Sequence, residues 1–95
     1  MYDTLSAAQF TPHVGKNFQP RGWQGTLELI SVDSKPNWGG RTEPPFNLLF
    51  RGPRNDVLQE GYYAFDVADG PAFEFYIMPI ATSALSHQDY QAVFN

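Results

Sequence analysis

The chain has 95 residues, six basic and ten acidic, for a formal net charge of −4, and it contains no cysteine. A single domain over residues 1–95 is what this length supports, because domains commonly run to roughly 100–150 residues. The cations are scattered (Lys16, Arg21, Lys35, Arg41, Arg51, Arg54), which excludes the concentrated basic surface that nucleic acid or an anionic membrane demands, and the missing cysteine excludes thiolate chemistry.

The first residues, MYDTLSAAQFTPHVG, show neither the basic leader nor the apolar stretch of a secretory signal. The expectation is synthesis in the cytoplasm without a signal peptide, with the final location left open and export as part of an assembly one route. No window approaches the ~20 apolar residues of a membrane-spanning helix. Ser6 to Phe10 predicts a short helix, with Ser6 as N-cap and Gly15 as a stop. Phe10 and Val14 would share its face and plug one open end of a β-structure.

Lys16 to Gln19 predicts a first strand with Phe18 inward, ended by Pro20-Arg21-Gly22. Trp23 to Val32 predicts a second, with Leu27 and Leu29 inward. Val32 falls on the wrong parity, and a bulge near Ile30-Ser31 would return it to the core face. Asp33 to Pro45, DSKPNWGGRTEPP, is too rich in Pro, Gly and charge for regular structure, and loops of this length in compact domains are often functional.

Three strands follow with strict alternation, the mark of one buried face. Phe46, Leu48 and Phe50 define the first inner face, Tyr63, Phe65 and Val67 the second, and Phe73, Phe75 and Ile77 the third. Gly52 to Asp56 turns the chain, and Ala68-Asp69-Gly70-Pro71 carries the Asp-Gly signal of a hairpin. Pro79 should end the third of these strands. Asp89 to Asn95 predicts a last strand with Tyr90, Ala92 and Phe94 on one face. The fold class is all-β: a small antiparallel barrel or sandwich of about six strands with one short N-terminal helix. The spacing does not choose between barrel and sandwich.

Catalytic chemistry is thinly represented. His13 reads as a surface histidine, and His87 with Asp89 would share one face but lacks a third metal ligand. Glu60, Asp66, Asp69 and Glu74 read as solvated strand and turn positions, and the serines show no nucleophile elbow. The expectation is a protein that is not an enzyme and holds no cofactor or metal. Arg51 and Arg54 flank a turn and could meet a partner's carboxylate. Trp38 sits in the Gly/Pro loop, and Leu49, Tyr62 and Tyr76 fall on outer faces, where exposed aromatics favour recognition. The candidate contact residues are therefore Trp38, Leu49, Arg51, Arg54, Tyr62 and Tyr76, serving a protein partner or self-association into a homo-oligomer.

Five runs taken together, Phe10-x-x-x-Val14-Gly15 with Phe18, FNLLFRGP at Phe46–Pro53, Gly61-x-Tyr63 with Asp69-Gly70, the Phe75–Pro79 strand and the terminal YQAVFN, resemble an uncharacterised family of small bacterial β-domains. The resemblance implies a compact barrel-like unit. It also implies a setting, since members are in some bacteria encoded beside proteins resembling phage tail-collar proteins. The functional expectation is a structural or interaction module of a phage-tail-like or other extracellular assembly. The alternative is a barrel that binds a small ligand in its interior.

Overall fold

The computed structural model describes residues 5–35 and 44–94. A short helix α1 (Ala7–Phe10) runs into a 3₁₀ turn, Thr11–His13, and six strands follow: β1 (Asn17–Pro20), β2 (Leu27–Ser34), β3 (Phe46–Gly52), β4 (Gly61–Val67), β5 (Ala72–Pro79) and β6 (Gln88–Phe94). They close into an antiparallel barrel in the order β1-β2-β3-β6-β5-β4, with β4 pairing back onto β1. Barrel, rather than sandwich, is the outcome that spacing alone left open.

Alternation along the strands decides the inside. Phe46, Leu48, Phe50, Phe65, Val67, Phe73, Phe75 and Ile77 are buried, with Phe18, Leu27, Leu29, Tyr90 and Ala92 completing the lining. The rings fill the axis by stacking: Phe65 lies on Phe75 with centroids 4.2 Å apart, and Phe46 on Phe94 at 4.4 Å. Each fully buried side chain of this size contributes about 1.5–3 kcal/mol of transfer free energy. Tyr63 departs from the expected core. It is only half-buried, because its hydroxyl reaches the rim to donate to the Gln59 carbonyl at 2.6 Å.

Several boundaries differ from those the sequence suggested. β1 includes Pro20, which is buried opposite Phe65, so the turn begins one residue later. β2 starts at Leu27 and not at Trp23, because the Gln19 amide donates to the carbonyls of Trp23 and Gly25 and holds residues 20–26 as a loop. The same strand continues to Ser34, which pairs with Phe46, and Lys35 N–H donates to the Pro45 carbonyl at 2.8 Å. The expected irregular segment is thus shorter at its start, ends before Phe46 as expected, and its middle, residues 36–43, lies outside the described residues. The bulge is where parity demanded it: Leu29 pairs with Phe50 and Ser31 with Leu49, leaving Ile30 extra.

The β4–β5 hairpin turns at Asp69, which takes φ 55, whereas Gly70 does not adopt a positive φ. A Cβ at Gly70 would lie 3.3 Å from Val67 and 3.5 Å from the His13 ring, a tight fit that places this turn directly over both side chains. His13 is accordingly no surface residue: its ring is half-buried, 6.0 Å from Phe73, and its Nδ1 is buried without a hydrogen-bond partner among the described residues.

Candidate functional site

Two hairpin strands supply the most distinctive outer surface. With Tyr63, Phe65 and Val67 turned inward on β4, the residues between them, Tyr62, Ala64 and Asp66, must face out; on β5 the outward set is Glu74, Tyr76 and Met78. The register places Tyr62 opposite Tyr76 and Ala64 opposite Glu74. Tyr62 is 67% exposed and Tyr76 45%, a pair of large aromatics side by side in solvent. Met78 pairs with Gln91 on β6, and the same register carried two residues on sets Val93, which is 41% exposed, across from Tyr76. An aromatic and apolar row therefore crosses β4, β5 and β6.

Carboxylates border this row. The Tyr76 hydroxyl donates to Glu60 Oε2, and that bond, with burial second, raises the phenol above its ordinary range. At the far end Asp66 receives a two-pronged bond from Arg21, Nε to Oδ2 at 3.0 Å and the terminal nitrogen to Oδ1 at 2.8 Å. The bond from Arg21 holds the Asp66 carboxyl below the usual carboxylate range, against a smaller opposing push from desolvation.

The other expected contact residues lie elsewhere. Leu49 and Arg51 share the outer face of β3, separated from the tyrosines by β6, and Leu49 is half-buried. Arg51 Nε donates to Asp89 Oδ1 at 3.2 Å; Arg54 donates to Gln88 Oε1 at 3.2 Å and to the Thr82 carbonyl at 3.4 Å. Both guanidiniums are thus engaged by the start of β6. Trp38 lies outside the described residues. Of the six candidates, the structure brings Tyr62 and Tyr76 together.

Sequence reading missed a short polar relay at the rim. Ser86 Oγ is 3.0 Å from His87 Nδ1, and His87 Nε2 is 3.4 Å from the same Asp89 oxygen that Arg51 holds. Pairing of β3 with β6 creates this cluster by setting Arg51 opposite Asp89, so the local sequence could show only its His-x-Asp portion. With Asp89 already neutralised by Arg51, the cluster ties the start of β6 to β3. Among the described residues no group of three or more acidic or histidine side chains gathers as a metal site.

A family model described as "Domain of unknown function (DUF6916)" matches residues 5–94, and the chain belongs to that family. No curated protein and no solved structure gives a significant match.

Proposed function

We propose that this domain is a non-enzymatic interaction module that meets a protein partner through the outer wall of β4, β5 and β6. The observation that carries the reading is the exposed, register-matched pair Tyr62 and Tyr76, continued by Val93. Aromatic side chains of this kind give rigid contact area with a polar tip, and they dominate binding hot spots. The alternative of a ligand held inside the barrel draws no support from the packing, because Phe18, Phe50, Phe65 and Phe75 already occupy the axis at ring separations of 4.2–6.4 Å. The resemblance to domains encoded beside tail-collar-like proteins favours a subunit or accessory of a phage-tail-like or other extracellular assembly as the setting.

Tyr62→Ala tests the reading. It should weaken association with a co-purifying partner, or self-association seen by light scattering, by about 2 kcal/mol or more, the hot-spot scale. Its melting temperature should match wild type, because Tyr62 makes no part of the core. An unchanged association with an unchanged melt would remove this wall from consideration.

A further inference from the structure

Resting on the contact wall proposed above, we infer that its partner presents a basic protein segment, with an arginine or lysine side chain seated over Ala64 between the Tyr62 ring and the Glu74 carboxylate. Ala64 is the small residue in the outward grid, opposite Glu74 and two positions from Tyr62, so its methyl group forms a low floor between taller neighbours. An aromatic ring beside a carboxylate is a favourable seat for a guanidinium or ammonium, which gains from the ring face and the ion pair together.

Charge over the wall points the same way. Glu60, Glu74, Asp66 and Asp69 all sit on β4, β5 or the turns beside them, and all are exposed. On β4 and β5 Arg21 is the cation that reaches the surface among the described residues; Asp66 binds it with two bonds and Glu74 lies within its field, while Arg51 and Arg54 reach the wall at the start of β6. The other described cations, Lys16, Lys35, Arg51 and Arg54, belong to β1, β2, β3 and the segments next to them. Glu60 is held in place by the Tyr76 hydroxyl, so one acid is already positioned against the aromatic row. Arg21 on Asp66 is moreover a worked instance on the same face: a guanidinium from a separate loop seats on an outward β4 carboxylate, one outward position along from Ala64. The same acidity repels nucleic acid and anionic lipid, which leaves a cationic stretch of protein as the complementary chemistry.

The experiment uses the full chain and two peptides, one alternating arginine with serine and the other with glutamine in place of each arginine. Binding is measured by calorimetry at low and at physiological salt. The arginine peptide should bind at least about tenfold more tightly than the glutamine peptide, and less tightly as salt rises. Glu74→Gln and Tyr62→Ala should each weaken it about fivefold or more, a scale that matches the loss of one ion pair or one ring contact at a partly exposed site. Glu28→Gln makes the same charge change on β2 and should leave binding within about twofold of wild type, as distant surface charges do at physiological salt. If Glu28→Gln costs as much as Glu74→Gln, the attraction is diffuse and the seat does not exist. If Tyr62→Ala disrupts association while neither peptide binds and Glu74→Gln is silent, the wall is a contact face but its partner is not basic, and a second copy of the chain becomes the occupant to test. If Tyr62→Ala and Glu74→Gln are both silent in every assay, the contact wall and its basic partner fall together.

Discussion

At the end of the barrel where β2 finishes and β3 begins, Phe10 enters from α1 and packs against Phe73, Phe94, Phe75 and Phe46, with centroids 4.5, 5.7, 5.8 and 5.9 Å away. Its own contacts there are ring on ring. At the opposite end the chain between β3 and β4 folds over the opening, and Leu58 is buried with its N–H donating to the Tyr90 hydroxyl at 2.7 Å. Beside it the Gln88 amide donates to the Ile80 carbonyl at 2.8 Å and accepts from Arg54. One end is closed by volume and the other by directed bonds. An apolar plug resists loss of bulk poorly and small changes of shape well, whereas a hydrogen-bonded latch fails when one buried partner is left unmatched.

The largest effect should come from emptying the plug. Phe10→Ala should destabilise by about 3–5 kcal/mol in urea unfolding, and Phe10→Leu by much less, since the cavity is smaller. If the two variants lose the same amount, the plug is held by something other than volume. Gln88→Ala breaks the latch from the other side. It removes one of two donors from the Ile80 carbonyl, which keeps the Thr82 hydroxyl, and a bond from the Arg54 guanidinium, and about 1–2 kcal/mol should be lost.

Tyr90→Phe should cost about 1–3 kcal/mol at neutral pH by orphaning the Leu58 N–H, while leaving the ring packing intact. It should also change the alkaline limb of stability. Burial raises the Tyr90 phenol above its unfolded value, with the Leu58 bond opposing in part. A group raised in the folded state contributes fully below its unfolded pKa of about 10, and that contribution is lost as pH climbs through the folded value. Wild type should therefore weaken above about pH 10, and Tyr90→Phe should weaken less steeply there. Equal slopes would mean the ring is wetter than the packing implies.

Smallest is the exposed pair between Arg21 and Asp66. Its carboxyl is lowered in the folded state, so its contribution is present above the unfolded carboxylate pKa and fades as pH falls through the folded one. Asp66→Asn should leave the neutral melting temperature nearly unchanged and flatten the acid limb slightly. A marked loss at neutral pH would show that this pair, and not the two end closures, governs the fold.

What the sequence revealed followed the reach of local pattern. Strict alternation in β3, β4 and β5 made the inner faces legible, and with them the outward positions of Tyr62 and Tyr76. The helix was legible through Ser6, whose N–H meets Gln9 Oε1 at 2.7 Å, and Phe10 as its inward residue, but Val14, expected to share that face, is 46% exposed because the chain leaves the helical turn there. Contacts set by long-range register were not legible. Nothing near Gln19 announces that its side chain will hold residues 20–26, and Leu58 obeys no period because it is buried from a loop. Glu60 and Glu74 looked like ordinary solvated acids, since only strand pairing sets Glu74 across from Ala64 and only the β4–β5 fold brings Glu60 to Tyr76. The histidine at position 13 looked exposed because its partners, Phe73 and the Gly70 turn, are distant in the chain.

The bulge in β2 has a consequence for the length of the chain. Because Leu29 keeps Phe50 and Ser31 takes Leu49, excision of Ile30 would leave every cross-strand partner and every inward or outward assignment in β2 as it is. Elsewhere in the strand a one-residue deletion reverses the faces of all that follows. Ile30 is thus a spare unit of contour that bends the wall without taking part in its pairing, and a chain shortened there would show whether closure of the barrel depends on curvature alone.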